Sequence, residues 1–317
     1  PTHAGMLTYV PQDQTNVATI PILVTNTVFT TNWFGHVSSS PSISTNGYTT
    51  TTNFYYSYVT NATYYDYRES DNVQALQLDI GSLNRWLANT TSTGGSALNN
   101  QVLSDSGQGI NSIYVYNSVP MSSGTLPAVR VVNGQELPSY GLSIATPQPL
   151  YVKGNYNVTT DGSHFAYGLG STTNGDTVPA SLMGDAITIL SDNWDDDNSS
   201  HTSIGDRDAT DTTINAATLE GIVASVTDSH GNKHYSGGLE NFLRLEEDWS
   251  DNTLTYNGSI VVMFPSQYAT NYWPGTGSVY NPPTRNWGFD QTFTTQGGLP
   301  PNSPQVKAMI RQSWTAY

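Results

Sequence analysis

Cysteine is absent from the 317 residues, which excludes disulfide staples and thiolate metal sites. Lysine is nearly absent too: Lys153, Lys233 and Lys307 are the whole set, and Lys plus Arg number 10 against 25 Asp plus Glu. The resulting net charge of −15 repels phosphate backbones and anionic lipid, so nucleic acid is excluded as a partner. Charged residues of all kinds make up 11 %, well under the roughly 25 % usual in soluble domains, so Asn, Thr, Ser, Gly and Tyr must carry the hydration. No apolar run reaches the roughly 18 residues a helical membrane span needs. A basic segment followed by an apolar one is missing as well, and the chain starts at Pro1; a removed leader or a fragment both point to export. The Gly-x-Ser-x-Gly elbow, the phosphate loop and the dinucleotide fingerprint are all lacking, and no residue is assigned a catalytic role.

What the chain does have is a series of short β-rich runs separated by Gly, Asn, Ser, Thr and Asp. They are Ile113–Tyr116, Ala128–Val132, Leu142–Ala145, Leu150–Val152, Ala186–Leu190, Ile222–Val226 and Ser259–Phe264. Runs this short, rich in Val, Ile, Tyr and Thr, fit strands rather than helices. Continuous apolar stretches such as 129–132 and 260–264 suit strands buried on both faces. The expected fold is therefore mainly β with a few short helices, its body a parallel β-helix-like stack; a β-sandwich is the alternative.

Residues 1–63 read as a β-rich N-terminal arm or cap, and 64–317 as a strand-rich body. Within the body, Val73, Leu76, Ile80, Leu83 and Leu87 recur at spacings of three and four, which predicts a helix over 71–87 capped by Ser70 or Asp71. Two shorter helices are expected near 239–249 and 304–313, the last with Pro304 in its first turn. Asp192–Thr213 is a long polar interruption of the strand series.

From about Tyr64 onward the order of phrases resembles a group of uncharacterised exported bacterial proteins associated with type IV pilin-like, PilX-type components. The phrases are Tyr65-Asp66-Tyr67-Arg68-Glu69, Pro127-Ala128-Val129-Arg130-Val131-Val132-Asn133-Gly134, Gly141-Leu142-Ser143-Ile144-Ala145-Thr146-Pro147 and Tyr235-Ser236-Gly237-Gly238-Leu239-Glu240-Asn241-Phe242, closing with Asn281-Pro282-Pro283-Thr284-Arg285-Asn286-Trp287. The resemblance implies an exported, surface-associated protein; it implies no enzymatic activity.

Three clusters could carry chemistry. The densest acidic one holds Asp192, Asp195, Asp196 and Asp197, followed by Asp206 and Asp208. Crowded carboxylates repel one another and need either full solvation or a cation; calcium, with about six to eight oxygen ligands, is the cation such a loop suits, although no EF-hand spacing is present. A second set is Glu240, Glu246, Glu247 and Asp248 with Arg244 between them, where Glu240 and Arg244 fall at i and i+4 of the expected helix. Two of these carboxylates could also serve glycoside hydrolysis as acid and base if their separation fits; otherwise the set is structural. His230 and His234 flank Gly231-Asn232 and read as exposed residues of a hairpin tip. The third cluster is aromatic: Tyr272, Trp273, Tyr280 and Trp287 combine apolar rings with polar handles, a composition that suits subunit interfaces and sugar stacking alike.

Together these features point to an extracellular or cell-surface structural protein that self-associates into an oligomer or filament, with calcium as its candidate cofactor. The alternative is a carbohydrate-binding or carbohydrate-active β-helix protein of the pectin-lyase-like type, with glycans as partners. Scarce basic residues argue against an anionic glycan.

Overall fold

The computed structural model describes residues 15–31, 37–54, 58–88, 110–158, 177–201 and 203–304, with the backbone path alone for 15–31, 37–54 and 85–88. Two compact units follow one another, Pro1–Ser57 and Tyr58–Tyr317. In the first, β1 (Thr15–Thr31) and β2 (Val37–Phe54) form one long antiparallel hairpin. Both segments are rich in β-branched residues, whose stiff side chains favour extended backbone.

The second unit opens with β3 (Val59–Asp66), β4 (Asp71–Asp79) and α1 (Ile80–Ala88). Then come β5 (Ser112–Tyr114), β6 (Thr125–Val132), β7 (Leu142–Ala145), β8 (Leu150–Lys153), β9 (Ala180–Gly184), β10 (Ile187–Leu190) and β11 (Thr212–Ile222). A small antiparallel hairpin of β12 (Val226–Thr227) and β13 (Lys233–His234) follows, and then β14 (Arg244–Leu245), β15 (Thr253–Pro265) and β16 (Thr284–Phe289). The chain is mainly β, as its sequence predicts.

From β4 to β11 successive strands alternate between two six-stranded sheets, ordered β14-β10-β8-β6-β4-β3 and β16-β15-β11-β9-β7-β5. Within these sheets every pair of neighbours is parallel except β3 and β4. The register aligns like with like. Leu78, Val131, Val152, Ile189 and Leu245 form one row across the first sheet, and Ile113, Ile144, Leu182, Thr218 and Ile260 form one across the second. All of β6 from Leu126 to Val132 is buried, which is why it reads as an unbroken apolar run with a single charge in it. Each Val, Ile or Leu so enclosed stabilises the fold by about 1.5–3 kcal/mol.

Backbone stacking continues beside the sheets. Asp208, Asp248 and Asn281 are joined by parallel bridges. Three buried asparagines, Asn157 after β8, Asn215 in β11 and Asn257 in β15, stack. Asn157, in the left-handed region at φ 57°, and Asn215 exchange side-chain-to-carbonyl bonds of 2.8 and 2.9 Å, and Asn257 donates to the Asn215 side chain at 2.7 Å. The C-terminal segment runs back across the serine row of the second sheet: Ser181 donates to Ser143 at 2.8 Å, Ser143 to the Pro301 carbonyl at 2.6 Å, and Asn302 to Ser112 at 2.6 Å.

Three sequence expectations are corrected. The helix expected over 71–87 is strand β4 as far as Asp79; only then does α1 begin, with the Asp79 carboxylate accepting the Ser82 N–H at 2.8 Å as its N-cap. A strand pinned between β3 and β6 outweighs local helical spacing. The helix expected over 239–249 is a single 3-10 turn at Gly238–Glu240 followed by β14, because Gly237, Gly238 and Leu243 all lie at positive φ, which no α-helix accommodates. The run Ile222–Val226 is not one strand: β11 ends at Ile222 and β12 begins at Val226. The helix expected near 304–313 lies outside the described residues beyond Pro304.

Candidate functional site

A row of the first sheet carries Gln77, Arg130, Tyr151, Thr188 and Arg244 on neighbouring strands. Two guanidiniums in a row of a buried sheet face require partners, and the loops outside supply them. Arg130 grips the Asp196 carboxylate with both terminal nitrogens at 2.6 and 2.8 Å, donates from Nε to Gln77 at 2.8 Å, and lies 4.9 Å from the Tyr64 ring centre. Arg244 donates to Glu69 at 2.7 Å and to the Ala269 carbonyl at 2.9 Å. Arg207 sits over the Tyr67 ring at 4.2 Å and donates to the Glu246 carbonyl at 2.7 Å, while Arg68 meets the Asn241 side chain. The Tyr151 hydroxyl donates to Asp66 at 2.6 Å, and Glu247 accepts from the Ser191 N–H and hydroxyl at 2.6 and 2.7 Å.

Electrostatics follow from burial. It pushes Glu247 and Glu220 up to about 7 from an ordinary value of 4.5. Burial, reinforced by the neighbouring Asp66 charge, holds Glu246 well above the ordinary carboxyl range, and burial also raises Glu69. Four arginines face six carboxyl groups (Asp66, Glu69, Asp196, Glu220, Glu246 and Glu247) in this part of the molecule. The groups could move protons, but their hydrogen bonds run to other parts of the chain. They fasten 66–69, the 191–208 loop and 269–271 onto the sheet.

The six aspartates of the polar segment are dispersed. Asp196 is held by Arg130 and by the Trp194 indole N–H at 2.9 Å, and Asp195 accepts its neighbour Asp197's N–H at 3.0 Å. Asp192 approaches Asn155 at 3.5 Å, Asp206 lies 3.6 Å from His201, and the Asp208 carbonyl accepts from Asn193 at 2.7 Å. Trp194 is buried, so a large apolar side chain anchors the loop. Among the described residues no group of three or more His, Asp or Glu side chains is gathered as a metal-ligand set. The expected Glu240–Arg244 pair is replaced: Glu240 meets Arg285 at 3.1 Å, and Arg244 meets Glu69.

Of the four aromatic candidates, Trp273 and Tyr280 touch directly, while Tyr272 and Trp287 pack on other partners. Tyr272 stacks on His234 with ring centres 4.0 Å apart and 15° between planes, on the β12–β13 hairpin. The Trp273 indole N–H donates to the Tyr280 hydroxyl at 3.3 Å, and that hydroxyl donates to the Glu240 carbonyl at 2.6 Å. Arg285, paired with Glu240, lies 5.5 Å from the Trp287 ring centre, and Trp287 leans on Tyr256 at 5.7 Å. Gly237, at φ 83°, leaves room for the indole: a Cβ there would stand 2.8 Å from Trp273 Cδ2. The result is a ledge of rings with a carboxylate and a guanidinium set into it.

Sequence reasoning missed the arginine network and the polar half of the ledge. The available signal was a lone Arg inside an apolar β run, at Arg130 and again at Arg244, in a chain with very few cations. Glu240 and Arg285 stand 45 positions apart, and only the fold places them together. Compared with known proteins, the chain matches no family model, no curated protein and no solved structure.

Proposed function

We propose that the second unit is a parallel β-helix serving as a stiff exported scaffold that assembles with copies of itself at the cell surface or outside the cell. The observation that carries this reading is the strand-by-strand alternation between two sheets whose neighbours are parallel, which is what a chain does when it winds one rung per turn. Parallel bridging through Asp208, Asp248 and Asn281 supplies a further line of stacking in the same sense. A β-sandwich, the competing architecture, is built from antiparallel hairpins, and β3–β4 is the sole such pair in the two large sheets.

Assembly is supported by the edges. The hairpin of the first unit is a two-stranded sheet, so each strand has an outer edge able to accept another strand. β16 covers β15 only from Thr253 to Gly258, leaving Ser259–Pro265 as a sheet edge that exposes Val261, Met263 and Phe264. Export is supported by the low charge and the Thr- and Asn-rich composition. Light scattering coupled to size-exclusion chromatography tests the reading, comparing the chain with a variant lacking residues 1–35. Assemblies several times the 34.3 kDa chain mass are expected, reduced in the truncated variant. A monomer at high concentration in both overturns it.

A further inference from the structure

The geometry points to the aromatic ledge as a binding site for a neutral oligosaccharide. Tyr272 is 42 % exposed and Tyr235, beside His234, is 60 % exposed, so two rings with polar tips face solvent on one short hairpin and its neighbour. Pyranose rings present apolar C–H faces and polar edges, and they match surfaces that alternate ring faces with hydrogen-bonding groups. Glu240 and Arg285 supply those groups. Their side chains remain 48 % and 23 % exposed while 3.1 Å apart, which sets an acceptor and a donor side by side, as vicinal hydroxyls require.

The ledge is held ready. Tyr280 is buried and ties Trp273 to the backbone at Glu240; Gly237 admits the indole; His234 supports Tyr272 from behind and is itself positioned by Asp228 at 3.3 Å. A platform fixed before binding loses little conformational freedom when the sugar arrives. The ligand class follows from charge. A net charge of −15 repels polyanionic glycans, and Arg285, the guanidinium of the ledge, is already neutralised by Glu240, so an uncharged hexose chain is favoured over a uronate or a sulfated one.

The test is calorimetric titration of the full chain with cellohexaose, maltohexaose, mannohexaose and chitohexaose, with polygalacturonate as the anionic comparison, followed by Trp fluorescence. At least one neutral hexasaccharide should bind saturably. Tyr272→Ala and Glu240→Gln, both at exposed side chains, should each weaken it about tenfold or more while leaving the melting temperature unchanged. Three results overturn the proposal: no neutral sugar bound up to about 10 mM, binding of polygalacturonate alone, or binding that neither substitution weakens. A Tyr272→Ala variant that changes the assembly mass and leaves sugar binding intact makes the ledge an interface between copies, which overturns it as well.

Discussion

Arg130 projects from the middle of a buried strand and meets Asp196 through two parallel bonds of 2.6 and 2.8 Å. The guanidinium side chain is 6 % exposed and the carboxylate 30 %, so one partner is desolvated and the other is at the rim. Planar bidentate geometry suits Arg and carboxylate and is lost with Lys. The pair pins the acidic loop to the sheet at the place where Trp194 packs beside Tyr64 at 6.0 Å.

Arg130→Met should therefore destabilise the body by about 3 kcal/mol, at the low end for breaking a buried pair because Asp196 keeps access to water. Asp196→Leu alone strands the more deeply buried Arg130 and should cost at least as much. Combining the two should recover part of the loss, since neither charge is then left alone. Urea denaturation reads all three as shifts of the midpoint at unchanged slope. Independent, additive losses in the double variant would show that the two side chains are not coupled.

The strands were largely legible and the connections between them were not. β6, β7, β8 and β10 were visible because sheet strands covered on both faces leave unbroken apolar runs. The run at 260–264 also marks a strand, the far half of β15, but the expectation that it is buried on both faces is corrected: Val261, Met263 and Phe264 are exposed. β4 misled for a related reason. Val73 and Leu76, three apart on one strand, run on into Ile80 and Leu83 of α1, and together they imitate the three-and-four spacing of a single helix. Only pairing with β3 and β6, from 17 to 53 positions away at Gln77, decides between the two. Of the ledge, the four rings were legible as a composition and His234 as part of a hairpin; the meeting of Glu240 with Tyr280 and Arg285 was not, because hydrogen bonds across 40 and 45 positions leave no local pattern.

Stability should fall as the solution becomes alkaline. Glu220 and Glu247 are held up to about 7 by burial, against 4.5 in an ordinary setting. The folded chain thus binds protons that the unfolded chain has already released. Their contribution is complete below about pH 4.5 and is lost as pH rises through about 7. Glu69 and Glu246 are displaced in the same direction. Asp228 is pulled down to about 2 by the Asn232 side chain and N–H, so its opposite contribution disappears only in strong acid. A melting temperature several degrees higher at pH 5 than at pH 8 is expected, and Glu220→Gln should flatten that slope. A melting temperature that rises between those two values would refute the assignment.

The asparagine stack should be intolerant of apolar replacement. Asn215 exchanges bonds with the Asn157 backbone and side chain and accepts from Asn257, all in a buried column. Asn215→Leu removes a donor and an acceptor at once and takes the side-chain donor from the buried Asn157 carbonyl. At about 1–3 kcal/mol for an orphaned buried group, a loss in that range is expected. Asn215→Asp is the sharper probe. It keeps the size and the acceptor, loses the donor to the Asn157 carbonyl, and should destabilise the chain more at pH 8 than at pH 4. Thermal unfolding at the two pH values distinguishes this from a simple packing defect, which would be the same at both.

The open stretch of β15 offers a way to separate assembly from folding. Val261 and Met263 are 42 % and 69 % exposed, and they lie in the part of the strand that β16 does not cover. Their partners in the ladder are Leu219 and a register shift beyond Glu220, so the fold holds them from one side only. Lysine at an edge strand blocks addition of a further strand, because a desolvated ammonium would have to enter the new ladder. Val261→Lys combined with Met263→Lys should accordingly lower the assembly mass in light scattering while the melting temperature at low concentration changes by no more than a few degrees. If the assembly persists unchanged in this variant and disappears when residues 1–35 are removed, the contact belongs to the N-terminal hairpin and the β15 edge plays no part in it.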